Sequence, residues 1–155
     1  PQWVTLPLET ADIKPVLVIE KQSFSQPWGR QSLMAECDNT DAIKYTAKSR
    51  HQNDADATIG YAIARLILNE MHLLRIAVLP RWRRCGVATD LLNRCLMTAI
   101  HMGAEVAYLE VRPTNRSARA LYDKLGFRLF AERPRYYSDS NEPALIYRKD
   151  LKGDT

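Results

Sequence analysis

The apolar positions of this chain follow two different periods, and the points where the period changes mark out its elements. Residues 3–8 read as a short extended piece. Thr10 is the expected cap of a helix over residues 11–22, with Pro15 in its first turns, where a missing N–H costs least. Ser25-Gln26-Pro27-Trp28 interrupts it, and residues 30–37 read as a second, shorter helix. Residues 42–47 and 58–68 are rich in β-branched and aromatic side chains and predict strands. The polar stretch 48–57 between them predicts an exposed hairpin loop. A turn at Asn69-Glu70 then leads into a mostly apolar strand over 71–79, which Pro80 stops.

Beyond Pro80 the period becomes helical. Ala88, Leu91, Leu92, Cys95, Leu96 and Ala99 fall on one face of a helix that starts near Val87, and Gly103 stands where its end is expected. Residues 105–111 read as a buried strand, ended by Pro113. Asn115 or Thr114 can cap a helix carrying Ala118, Leu121, Tyr122 and Leu125 on one face, closed by Gly126. Residues 127–137 and 143–151 predict two last strands. The order βααβββαβαββ predicts an α/β fold, with a mixed, mostly antiparallel central sheet flanked by helices. The one parallel crossover expected lies within 71–111.

Composition narrows the class. A length of 155 residues suits one domain over 1–155, and 46% apolar with 26% charged residues is ordinary for a globular chain. No apolar run approaches the ~20 residues of a membrane span. Pro1-Gln2-Trp3 is not a basic region leading into an apolar stretch, so a cytoplasmic location without membrane contact is expected. Cys37, Cys85 and Cys95 form neither a CxxC pair nor a disulfide framework and are expected to be small packing residues. His51, His72 and His101 are scattered, so no metal is expected. A net charge of +4 permits an anionic ligand without requiring nucleic acid, which is not expected as a partner. The basic residues gather at 81–84 and 128–135.

The first basic cluster sits where chemistry is plausible. Arg83-Arg84-Cys85-Gly86-Val87-Ala88-Thr89 joins the strand over 71–79 to the following helix. Backbone N–H groups at a helix start are unpaired and carry the positive end of the dipole, which suits an anion. Gly86 allows close approach to the backbone, Ala88 is small, and Arg83 and Arg84 add charge for a pyrophosphate. Neither a GxxxxGK[ST] loop nor a GxGxxG loop is present. Taken alone, a basic turn with one glycine is more often a solvated cap.

The wider pattern makes it more than that. Arg83, Gly86 and Ala88 meet [Arg/Gln]-x-x-Gly-x-[Gly/Ala] after Ile76-Ala77-Val78-Leu79-Pro80, and Leu109-Glu110-Val111-Arg112-Pro113-Thr114-Asn115 is followed by Ala120-Leu121-Tyr122 and Leu125-Gly126-Phe127. With Phe24, Pro27-Trp28 and Arg133-Pro134-Arg135-Tyr136-Tyr137, these segments resemble the GNAT family of N-acetyltransferases over roughly 19–147. Within it the resemblance is strongest to bacterial enzymes that acetylate the N-terminal alanine of a ribosomal protein. It implies acetyl-CoA as co-substrate and a protein N-terminus, that of a ribosomal protein, as partner. Two departures stand out: those enzymes often carry glycine where this chain has Ala88 and arginine where it has Thr89.

Roles follow by the same resemblance. The backbone of Ile76, Ala77 and Val78 would meet the pantetheine arm. Arg83, Arg84, Cys85, Gly86, Val87, Ala88 and Thr89 would cradle the phosphates, and Asn115 would help hold the arm. Glu110 would deprotonate the amine and Tyr122 would protonate the leaving thiolate, lying at the cofactor as well. Phe24, Pro27, Tyr136 and Tyr137 would line the peptide groove.

The residues themselves add constraints. Glu110 interrupts an apolar strand, where partial burial would make it a better base; a salt bridge to Arg112 or an exposed strand end is the alternative. A thiol pKa of ~8.5 and a phenol pKa of ~10 permit proton transfer from Tyr122. Attack is expected to be direct, because Cys85 has no histidine neighbour in sequence to activate it as a nucleophile. An α-amine with pKa ~7.7–8.0 costs roughly 3.5 kcal/mol less to neutralise than a lysine at ~10.4, which favours an N-terminal acceptor. Lysine or a small amine stays an alternative acceptor. A non-catalytic acetyl-CoA- or RNA-binding module using the basic clusters is the alternative class. A basic acceptor tail would need local carboxylates to offset the chain's own positive charge.

Overall fold

The computed structural model describes residues 2–50 and 57–152. It contains strand β1 (Trp3–Pro7), helices α1 (Ile13–Ser23) and α2 (Arg30–Asp38), and strands β2 (Ala42–Ser49), β3 (Thr58–Ile67) and β4 (Glu70–Val78). Helix α3 (Val87–His101), strand β5 (Val106–Val111), helix α4 (Arg116–Lys124) and strands β6 (Arg128–Arg133) and β7 (Ala144–Asp150) follow. The order matches βααβββαβαββ. One seven-stranded sheet runs β1-β2-β3-β4-β5-β7-β6, antiparallel throughout except for the parallel β4–β5 pair. The loop expected over 48–57 falls largely outside the described residues; β2 extends into it as far as Ser49.

Each face of the sheet carries its own core. Leu91, Leu92, Cys95, Leu96 and Ala99 of α3 pack with Tyr122, Ala107, Leu109 and Val111 on one side. Ile13, Val16 and Ile19 of α1 and Leu33 of α2 pack with Tyr61, Ile63 and Ala77 on the other. The stripe read from the helical period is thus the buried stripe of α3. Asn115 caps α4, its Oδ1 accepting from the Ala118 N–H at 3.2 Å.

Several boundaries differ from the sequence reading. A 3₁₀ turn at Thr10–Asp12 precedes α1, and Thr10 does not cap it; the Glu9 N–H donates to Asp12 Oδ2 at 2.8 Å instead. The β3–β4 turn lies at Leu68-Asn69, with Leu68 left-handed at φ 56° and 92% exposed. Strand β6 stops at Arg133 and does not run on to residue 137. Pro134 has no N–H to offer a ladder, and Arg135 turns left-handed at φ 52°. Tyr136 and Tyr137 therefore sit in the β6–β7 connection. Of the cysteines, Cys95 is buried and Cys37 half-buried, but Cys85 is exposed, its thiol donating to the Arg83 carbonyl at 3.5 Å.

Candidate active site

Strands β4 and β5 start as neighbours and then separate. Only Glu70, Met71 and His72 pair with Val106, Ala107 and Tyr108. On the far side of β4 the register slips: Ile63 faces Arg75 and Ala64 faces Leu73, leaving Leu74 as an extra residue. Such a bulge bends its strand and increases its twist. Beyond it, β4 keeps its partner β3 but has lost β5, so one edge of Ile76–Val78 has no strand beside it. The opening is a cleft of about 1530 Å³.

Ile76, Ala77, Val78, Arg83, Arg84, Gly86, Val87, Ala88, Thr89, Asn115 and Tyr122 all line this cleft. So do Glu110, Phe24, Tyr136 and Tyr137, which leaves Cys85 and Pro27 outside the lining. Pro27 is exposed, and its neighbour Trp28 takes the place in the wall.

The turn at the cleft's end has the backbone of an anion cradle. Arg84 (φ 61°) and Gly86 (φ 97°) are left-handed, on either side of Cys85, which is not. That alternation turns successive N–H groups towards one concavity. Gly86 is also the N-cap of α3 and provides no side-chain acceptor for the helix's first N–H groups. Arg83 is placed differently from expectation: its Nε donates to the Val78 carbonyl at 3.0 Å, bracing the strand-to-turn corner. Trp3 covers the outside of the turn, its Nε1 donating to Asp90 Oδ2 at 2.9 Å.

Glu110 is less buried than its apolar strand suggested. Its side chain is 34% exposed, and its charge partner is Arg133 at 3.7 Å, not Arg112. Arg112 reaches the β6–β7 connection instead, donating to Asp139 at 2.8 Å and to Glu142 at 3.3 Å and standing 3.9 Å over the Tyr137 ring. Those bonds bring Tyr136 and Tyr137 back over the cleft. The Tyr136 hydroxyl donates to Glu110, and that bond, with the carboxylate's charge, raises the Tyr136 phenol above its ordinary pKa.

Tyr122 is 5% exposed, packed edge-on against Phe127 and Tyr147. Burial pushes its phenol well above the ordinary value, and Tyr137 adds to the rise. The site therefore places an ionisable carboxylate and a persistently protonated phenol on one cleft, beside a free strand edge and an anion cradle. That is equipment for taking a proton from one partner and giving a proton to another. A pyrophosphate at the turn and a polar arm along β4 fit these groups.

Sequence reading missed Arg133 at Glu110 and Arg75 in the lining. Arg75 left a signal of the same kind as Glu110, a charge inside an apolar run, Leu73-Leu74-Arg75-Ile76-Ala77.

A family model described as the Acetyltransferase (GNAT) family matches residues 13–127, and the chain belongs to that family. It is an N-acetyltransferase that uses acetyl-CoA. It is similar to the ribosomal protein bS18-alanine N-acetyltransferase of Haemophilus influenzae, 33% identical over 142 residues that span 90% of this chain and 92% of the relative. The enzyme of that name from Escherichia coli is 32% identical over 141 residues, 90% of this chain and 91% of its own. The crystal structure of the E. coli ribosomal-protein-S18-alanine N-acetyltransferase superposes with a TM-score of 0.84 at 28% identity, covering 96% of this chain and 94% of that one. Arabidopsis thaliana NAA60 in complex with acetyl-CoA superposes at 0.89 with 17% identity over 97% and 99% of the two chains, a likeness of fold alone.

Proposed function

We propose that residues 1–155 form a single N-acetyltransferase domain that acetylates a protein N-terminal α-amino group, with the N-terminal alanine of a ribosomal protein as leading acceptor. The observation that carries this reading is the presence of Glu110 and Tyr122 on the same cleft as the unpaired edge of β4. The names of the similar bacterial enzymes point to the same acceptor.

When bound, acetyl-CoA supplies the thioester carbonyl that an amine can attack. The cradle of Arg84, Gly86, Val87, Ala88 and Thr89 would hold its phosphates by backbone N–H groups, and Asn115, which also lines the cleft, would help hold the arm. Glu110 receives the amine proton, directly or through water, while Tyr136 and Arg133 hold the carboxylate in place. Tyr122, kept protonated by burial, donates to the departing sulfur. Phe24, Trp28, Tyr136 and Tyr137 form the acceptor wall. Two arginines of that side are neutralised locally, Arg75 by Glu20 and Arg112 by Asp139 and Glu142. A basic acceptor tail therefore meets less repulsion than the net charge of +4 suggests.

The test follows CoA thiol release with acetyl-CoA and peptides beginning with different residues, each beside a blocked-N-terminus control. An alanine-starting peptide is expected to turn over only with a free N-terminus. Turnover restricted to internal lysines or free small amines would overturn the reading.

A further inference from the structure

The bulge in β4 does a second thing besides opening the cleft. It places two successive residues towards the α1 side of the sheet: Leu74 packs against the cluster of Ile13, Ile19 and Ala77, and Arg75 reaches Glu20 of α1. Glu20 is fully buried. Its Oε1 accepts from Arg75 Nε at 3.1 Å and from the Tyr61 hydroxyl, and its Oε2 accepts from Arg75 Nη2 at 3.1 Å. The Trp28 N–H also donates to Oε2 at 2.8 Å, and Arg75 Nη2 donates to the Gln26 carbonyl at 3.0 Å. The Arg75 guanidinium stands 3.8 Å over the Phe24 ring and 5.0 Å over that of Trp28. Four separate contacts thus converge on the connection between α1 and α2, whose own backbone holds no helix or strand from residue 24 to 29. A buried carboxylate is tolerated only when paired and hydrogen-bonded, and the partners here are the sheet and the loop.

We propose that the Glu20–Arg75 pair is a strap that holds the connection at residues 24–28 as the acceptor wall of the cleft, making Arg75 and Glu20 positioning residues for acceptor binding and not for acetyl-CoA. Both carboxylate oxygens and the Nε and Nη2 of the guanidinium are engaged, so the loop's Phe24 and Trp28 are held against Arg75. The donor side shares β4 but none of these contacts: its groups are the free strand edge past Arg75 and the turn at residues 83–89. Loosening the strap therefore frees the acceptor wall and leaves the donor cradle standing. The kinetic part of this inference rests on the proposed N-acetyltransferase reading; the structural part does not.

Two measurements separate the parts. In Arg75→Met, hydrogen exchange in residues 24–28, read at the Trp28 amide, is expected to accelerate about tenfold or more while exchange in β3 and α3 stays unchanged. In steady-state kinetics with an alanine-starting peptide, the acceptor KM is expected to rise about tenfold, with the acetyl-CoA KM within about twofold of the parent. Arg75→Lys, which can meet Glu20 but not span both oxygens and the Gln26 carbonyl, is expected to fall between. If Arg75→Met strands the Glu20 charge and fails to fold, Glu20→Gln combined with Arg75→Met removes both charges and carries the same test. Unchanged exchange at residues 24–28, or an equal acceleration across the whole chain, overturns the strap. A parent protein that turns over no peptide overturns the function while the exchange result still decides the strap.

Discussion

The two halves of the cleft are built by different means. The donor half is made of backbone: a bulge, an unpaired strand edge, two left-handed residues and a helix start, all within residues 74–89. The acceptor half is made of side chains gathered from far apart, with Glu20, Phe24 and Trp28 meeting Arg75, and Tyr136 meeting Glu110. A backbone site tolerates changes of side chain as long as its torsions hold. A side-chain site tolerates changes of backbone poorly, because every partner arrives from a separate segment. Donor chemistry is thus carried by a local stretch and acceptor choice by tertiary contacts.

The largest effect is expected at the point where the halves meet. Tyr122→Phe removes the phenol proposed to protonate the leaving sulfur, and kcat is expected to fall about 100-fold or more with both KM values nearly unchanged in steady-state assays. Within the donor half, Gly86→Ala forces a side chain onto φ 97° at a cost of roughly 1–2 kcal/mol, where the added Cβ meets nothing nearer than Trp3 at 3.8 Å. The strain is therefore in the backbone, and acetyl-CoA affinity by calorimetry should drop about tenfold while a peptide's KM does not move.

The pH profile sharpens the contrast. The acceptor's own amine, with pKa ~7.7–8.0, must lose its proton, so kcat/KM for peptide is expected to rise by roughly tenfold between about pH 6.5 and 8. Tyr122 is shifted upward and stays protonated in that range, so no loss of the acid should cut the rate below about pH 10. An alkaline decline that disappears in Tyr122→Phe would show that the phenol titrates earlier than its burial implies.

Smaller effects come from the acceptor frame. Arg112→Gln frees Asp139 and Glu142, whose carboxyls Arg112 and Thr114 help hold below their usual range, and so loosens the connection carrying Tyr136 and Tyr137. Acceptor KM is expected to rise about three- to tenfold with acetyl-CoA KM unaffected. Cys85→Ser is expected to change kcat by less than about twofold, because the thiol lies outside the cleft lining. A larger loss would reopen an acyl-cysteine route. Alkylation should find Cys85 before Cys95, whose thiol burial pushes up to about 12.

How far the chain could be read in advance follows the same division. The buried face of α3, the Asn115 cap and the parallel crossover were legible because each is written in neighbouring residues at a fixed spacing. The turn at residues 83–89 was legible for the same reason, although the contact of Arg83 with Val78 was not: the motif gives the arginine's position in the chain but not the direction of its side chain. Thr10 as a cap failed because Glu9 and Asp12, on either side of it, satisfy the turn between themselves. The neighbours of Glu110 were not legible, because β6 and the residues after it, placed beside β5 only through β7, bring Arg133 and Tyr136 to a carboxylate whose side chain stays 34% exposed.

The sequence by itself determined the order of elements, the faces they bury and the glycine turn before α3, because period, caps and glycine torsions act over a few residues. The tertiary structure decided where β4 leaves β5, what stands beside Glu110 and how the loop at residues 24–28 is held. The last two depend on charged groups whose partners lie 20 to 60 positions away, such as Arg75 on Glu20 and Arg133 on Glu110. No local pattern specifies which of many carboxylates an arginine will meet; packing of the two cores against the sheet does.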